Sequence, residues 1–410
     1  MITKLAWRNI WFKPLNTVLS LILLTSGVAI ISVLILLQEQ FEKQFSSNID
    51  GVDLVLGAQG SPLQLILSSV YHVDAPTGNI NYKEAQVWMK HPFVETAIPL
   101  AFGDNYLGFR IVGTTQDYLK KYNVEIAEGK TFDENFEVVI GSEVARKLQL
   151  KIGDTFYGTH GDAEEGHKHE EYAYVITGIG QPTGKVVDNL ILSNIESVWA
   201  MHEDHEHHDH DHEGHDHDHE EHDHDHDSEK EITAVLVKFK SKMGIVSWPR
   251  MIAQNTKMQA ALPAIEINRL FSLFGIGLQA LEYLAYGIML ISGISIFIAL
   301  YNRLKERKYE FALMRVNGAS RGKLLKLVML ESLWLCVVGF LFGIIIGRIA
   351  LMFISASTDD QFKIAFDPMT ILWKKEGILF LVTIFTGFLA ALIPALKAYR
   401  LNISKTLANA

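Results

Sequence analysis

The sequence predicts a membrane protein of mixed α+β class: four transmembrane helices, with a large α+β domain between helices 1 and 2. Three observations predict it. Four apolar segments are long enough to cross a hydrocarbon core, which takes about 20 residues of helix. The stretch between the first two, residues 39–280, is long enough for a domain of one or two lobes. Inside that stretch, short β-rich runs alternate with helical patterns.

In chain order, residues 1–14 read as an amphipathic segment and residues 15–38 as the first span, which carries no charge. No small-residue cleavage site follows it, so it reads as a retained helix. The runs FRIVGTT (109–115), FEVVIGS (136–142), YAYVITGIG (172–180), DNLILS (188–193) and ITAVLVKF (232–239) predict strands. NYKEAQVWMKH (81–91) and SEVARKLQL (142–150) predict helices. Amphipathic residues near 39–48 and 248–280 are expected to continue the membrane helices outward as a stalk. The second span is 283–301, followed by a basic loop, 302–329. The third is 332–355, interrupted by Arg348, whose guanidinium is expected to reach the headgroups. The fourth is 377–396, with residues 397–410 as a tail.

Lys and Arg counts in the short flanks orient the bundle. The amino-terminal flank, the 302–329 loop and the carboxyl-terminal flank together hold fourteen basic residues against Glu306 and Glu310. Both termini and that loop are therefore expected in the cytoplasm, and residues 39–280 outside it. The formal net charge of −10 conceals this balance, because thirteen of the 47 acidic residues lie in one tract. Without them the chain is close to neutral, which argues against nucleic-acid binding. Cys336 is the only cysteine, so no disulfide forms within the chain.

Residues 202–227 read HEDHEHHDHDHEGHDHDHEEHDHDHD. Imidazole interleaved with carboxylate suits Zn, Ni, Cu or Co rather than Ca or Mg. The expected ligands are His202, His205, His207, His208, His210, His212, His215, His217, His219, His222, His224 and His226. His160, His167 and His169 form a second small cluster. Overlapping repeats predict a metal buffer or sensor rather than one fixed tetrahedral site. The competing reading is a solvated, charged spacer. His72 and His91 stand apart and receive no role.

No catalytic group is assigned. GIGQPTGKVV (178–187) resembles a phosphate loop only superficially, since Ile179 stands where the first glycine belongs and Val186 follows Lys185. The 302–329 loop has two readings on its own residues. It is either a basic segment lying on anionic lipid, or a short helix that docks into a groove on a cytoplasmic partner.

The stretch ERKYEFALMRVNGAS resembles the signature that follows the second helix in MacB/FtsX-type ABC transporter permeases. Glu310, Arg315, Gly318, Ala319 and Ser320 match it, and Asn317 replaces a residue that is more often apolar. LAWRNIWFKPLNTVLS and ALIPALKAYRLNISKTL are similar to the family's opening and closing segments, with Ile403 in place of a proline. GKTFDENFEVVIGSEVARKLQLKIGDTF (129–156) is similar to its extracytoplasmic core. The resemblance implies a non-catalytic permease subunit in a bacterial inner membrane, working as a dimer with a separate cytoplasmic ABC ATPase that alone binds ATP. It also implies coupling through Glu310, Phe311, Met314, Arg315, Gly318, Ala319 and Ser320. Family members move their outward domain to extrude lipoproteins, drugs or toxins, or to act on a periplasmic adaptor or substrate protein. The alternative is a metal-sensing membrane receptor or scaffold without transport.

Overall fold

The computed structural model describes residues 2–10, 14–159, 168–203, 230–362 and 366–401. The chain divides into two compact units, Met1–Glu42 with Ser272–Ala410, and Lys43–Phe271.

A short helix α1 (Ile2–Ile10) precedes α2 (Pro14–Ile49). Pro14 suits the first position of α2, where its missing N–H costs nothing. At 1.5 Å per residue α2 is about 54 Å long, well beyond the roughly 30 Å of a hydrocarbon core. Its polar last third is therefore a stem outside the apolar layer.

The second unit opens with β1 (Leu54–Ala58), α3 (Pro62–Ser69), β2 (Ile80–Asn81) and α4 (Tyr82–Met89). Ser61 and Asn81 cap α3 and α4 by accepting from the amides of Gln64 and Glu84. There follow β3 (Val94–Tyr106), β4 (Phe109–Thr114), α5 (Gln116–Tyr122), β5 (Ile126–Gly129) and β6 (Glu137–Ile140). Next come α6 (Ser142–Leu148), β7 (Thr155–Thr159), β8 (Lys168–Gly180), a 3-10 turn (Val186–Asn189), β9 (Ile191–Asn194) and α7 (Ile195–Glu203). The unit closes with β10 (Glu231–Ile232), β11 (Ala234–Phe239), α8 (Met243–Asn255) and β12 (Met258–Ala261).

One sheet runs β12-β1-β11-β3-β4-β9-β6-β8-β5, and β7 joins β8 back to β3 through the pair Asn105↔Thr159. β2 and β10 pair separately. The thirteen-residue β3 serves two cores. Its first half pairs with β11 over a core of Leu54, Val235, Val237 and Trp248. Its second half pairs with β4 beside a core of Ile111, Val138, Phe156, Tyr174 and Ile191.

The expected stalk is corrected on one side. Residues 248–261 do not extend a membrane helix. Trp248, Ile252, Met258 and Ala261 are buried in the first lobe, and Pro249 lies inside α8. The amphipathic pattern there reflects packing on the sheet. The returning helix starts at Pro263.

That helix is α9 (Pro263–Glu306), followed by α10 (Lys308–Val316), α11 (Arg321–Phe362) and α12 (Trp373–Tyr399). α2, α9, α11 and α12 are long and apolar enough to cross a membrane, as the sequence predicts. Gly339, Gly343 and Gly347 recur every fourth residue of α11 along α2. A Cβ on Gly343 would stand 2.6 Å from Val28 and 3.1 Å from the Thr25 carbonyl. The missing side chains let the two backbones approach, which is how helices associate without a hydrophobic drive. Ser332 donates to the Gly387 carbonyl at 2.7 Å, tying α11 to α12.

Arg348 finds its partners within the bundle. Its guanidinium pairs with Glu376 at 2.7 Å and donates to the Pro368 carbonyl at 2.8 Å. A partner on the next helix satisfies the charge internally. Nearby, Gln40 both donates to the Asp367 carbonyl and accepts from its amide, and Glu39 pairs with Lys375 at 2.6 Å.

Candidate functional site

The site is α10, mounted between the second and third membrane helices. Arg307 breaks the helix before it, and Gly318, at φ +86°, breaks the chain after it. Only glycine adopts that left-handed turn without a Cβ penalty. The flanks are pinned by buried polar contacts. Asn9 donates to Glu331 at 2.8 Å, and the Arg303 guanidinium donates to the Thr17 hydroxyl. These bonds join α1, α2, α9 and α11 around the base of α10.

The predicted coupling residues divide by face. Phe311, 3% exposed, and Ala312 are buried with Ala6, Leu324, Leu327 and Ala395, and Met314 packs beside them. Phe311 is thus an anchor that seats the helix, not a contact offered to a partner. Glu310 is held by Arg307 at 2.5 Å. Arg315 donates to the Ala319 carbonyl at 2.8 Å, closing the helix end over the Gly318 turn. Ser320 accepts from the Lys323 amide and so starts α11. The signature residues therefore build the mount.

What α10 presents outward is Tyr309, Leu313 and Val316, which are 48%, 40% and 59% exposed. Spaced i, i+4, i+7, they share one helix face. Sequence reasoning missed them. The spacing was readable, but Phe311 and Ala312 offered a competing apolar face. Only the residues packed on α10 from other helices decide between the two.

Of the histidines read as ligands, His160, His167, His205, His207, His208, His210, His212, His215, His217, His219, His222, His224 and His226 lie outside the described residues. His169 and His202 fall in β8 and α7, with side chains outside the described ones. Among the described residues no group of three or more His, Cys, Asp or Glu could hold a metal. The tract begins at the end of α7, which β8 holds, and the chain after the tract returns to the same helix. Tyr174 donates to Met201 at 3.5 Å. Trp199 of α7 donates to the Glu231 carbonyl at 2.7 Å, and the Lys230 ammonium lies 4.9 Å from the Trp199 ring.

His72 has a structural place. It is buried against Phe102 and hydrogen-bonded to Tyr118 at 2.9 Å. Burial first, then Arg110 and Lys121, hold its pKa down at about 3, so the ring is neutral. The Thr183-Gly184-Lys185 turn is likewise filled by its own chain. Asp188 accepts from the amides of Thr183 and Gly184, leaving no cradle for phosphate.

Four helices long and apolar enough to cross a membrane, a sheet domain inserted after the first, and a short apolar-faced helix between the second and third describe a multi-pass membrane protein. Residues 17–241, over half of the chain, match the MacB-like periplasmic core domain, and residues 283–403 match the FtsX-like permease C-terminal domain. The chain belongs to the MacB/FtsX-type permease family. It is similar to the pyoverdine export ATP-binding/permease protein PvdT of Pseudomonas syringae pv. tomato, 22% identical over 97% of this chain and 58% of that protein. The PvdT of Pseudomonas aeruginosa is also 22% identical, over 99% of this chain and 58% of that protein. The chain thus spans less than two thirds of the length of these relatives. Among solved structures, the periplasmic region of MacB from Actinobacillus actinomycetemcomitans aligns over 54% of this chain and 95% of its own, at 9% identity and TM-score 0.35. The extracellular domain of the transporter YknZ from Gram-positive bacteria aligns over 51% and 98%, at 12% identity and TM-score 0.32.

Proposed function

We propose that this chain is the membrane-spanning, non-catalytic subunit of an ABC-type exporter in a bacterial inner membrane. A separate cytoplasmic ATPase binds and hydrolyses ATP, and two permeases act together. The single observation that carries this reading is the outward Tyr309-Leu313-Val316 face on a helix whose other face is anchored by Phe311. An apolar stripe at helical spacing fits a groove on a partner protein. The relatives' names, which join ATP binding to a permease, support the same pairing. Work done on α10 would reach the outward domain along α2 and α9, both continuous helices longer than a membrane is thick. The test is Leu313→Asp with Val316→Asp. The double variant should insert and fold as the parent does, yet fail to copurify with the ATPase. Retained copurification and normal stimulation of ATP turnover would sink the docking role of this face.

A second reading concerns the His-rich tract, 202–227, as a weak multivalent site for Zn or a similar ion outside the cytoplasm. Its support is the donor chemistry, together with the contacts of Lys230 and Glu231 with Trp199, on the helix from whose end the tract departs. Replacing residues 204–229 by a short Gly-Ser link should leave thermal unfolding unchanged. Calorimetric titration of the full chain with Zn²⁺ should show more than one equivalent bound, weakening below about pH 6 as imidazoles protonate. Equal binding by the deleted chain would overturn this assignment.

A further inference from the structure

The carboxyl-terminal end of α2 is fixed in the sheet domain more firmly than a helix end requires. A helix leaves its last four carbonyls without intrahelical partners. One local bond, Val52 amide to Ile49 carbonyl at 2.9 Å, with Gly51 at φ +76°, would suffice to turn the chain. Instead, three separate segments reach in. The Tyr71 hydroxyl, at the end of α3, donates to the Phe45 carbonyl at 2.8 Å. The Lys121 ammonium, on α5, donates to the Asn48 carbonyl at 2.9 Å. The Val186 amide donates to the Asn48 side-chain oxygen at 3.0 Å, while the Asn48 amide group holds Gln44 of its own helix. Asparagine is a poor helix former, and Asn48 is nevertheless buried in the last turn. Its crosslink to the 183–188 turn accounts for it.

The grip continues in both directions. Phe45 packs on Tyr71, with ring centroids 4.6 Å apart, and on Phe271 of α9 at 6.0 Å. The Lys121 ammonium sits 3.5 Å from the Tyr122 ring centroid, which restrains its stem. Beyond the turn, Asp53 donates through its amide to Val237 and accepts from the Phe239 amide at 2.8 Å, so β1 begins without slack.

We propose that Lys121 is a positioning residue: by clamping the last turn of α2 to α5 it makes the stem and the sheet domain move as one body. This rests on the exporter reading above, in which α2 carries motion. Without the clamp the stem could swing on Gly51 while the domain lagged behind.

The test uses the full chain in lipid nanodiscs with its copurified ATPase. Spin labels at Ser46, on the stem, and Glu128, on β5, report their mutual distance with and without ATP. In the parent the distance distribution should be narrow and the same in both states. In Lys121→Met it should broaden and shift with ATP, with ATP turnover retained and export lost. Lys121→Arg, which keeps the cation, should restore the narrow distribution. Tyr71→Phe removes a different bond of the same clamp and should broaden it in the same direction, which guards against a folding defect peculiar to position 121. A Lys121→Met distribution identical to the parent's would overturn the clamp. Absence of any ATPase bound to the parent would instead overturn the exporter reading, while the nucleotide-free distributions would still decide for or against the clamp.

Discussion

Glu137 stands at the start of β6 with its carboxylate 2.7 Å from the Lys130 ammonium, accepting also from the amides of Asp133 and Glu134. That bond to Lys130 first, then the two amides, hold its pKa at about 2. In the unfolded chain the carboxyl titrates in the ordinary range, so between the two values the unfolded state binds more protons. The stability contributed is complete above the ordinary range and is lost as pH falls toward about 2. Acid unfolding of the parent should therefore show a slope that Glu137→Gln lacks, read by thermal unfolding in detergent from about pH 6 downward. An unchanged slope in the variant would mean that another carboxylate governs it. FEVVIGS was legible as a strand because its apolar residues repeat. The role of its glutamate was not, because its partners come from the turn before it. Arg348 teaches the same at larger separation, since Glu376 lies 28 residues on and only the folded bundle brings them together.

Among whole elements, the four spans could be read from length and composition, and so could the order of strand-rich and helical runs. The extension of α2 through residues 39–48 was legible too, and the helix runs to Ile49. Where the returning helix begins was not, because α8 borrows the same amphipathic pattern to cover a sheet. The contact of α2 with α11 was present in the sequence as three glycines at intervals of four, yet a spacing does not say which helix it faces. Gly343→Leu should separate α2 from α11. Backbone and Val28 both lie within 3.1 Å of the added Cβ, so the cost should be about 1–3 kcal/mol or more. Lower yield of folded protein and a lower unfolding temperature in detergent should follow, while Gly322→Leu, with open space around it, should change neither. Equal behaviour of the two variants would count against the close approach.

For the whole molecule, the charge pattern makes the sharpest statement. Fourteen basic residues on three short flanks predict that those flanks stay in the cytoplasm. A cysteine at Ser228 should react with an impermeant thiol reagent in cells with a permeabilised outer membrane, and one at Ser320 should not. Reaction at Ser320 alone would invert the topology and remove α10 from any cytoplasmic partner. The two cores along β3 have a different consequence, one for how the chain is made. β4, β6, β8 and β9 all lie within residues 109–194, so the core they share can assemble as soon as that stretch is available. β1 precedes them, yet its partners are β11 and β12, which arrive last. The earliest strand of the domain must therefore wait, apolar and unpaired, for the last two. Non-local pairing of this kind is slow and leaves sticky edges exposed meanwhile. Until β11 and β12 follow, the unfinished chain is thus most open to aggregation at Leu54–Ala58.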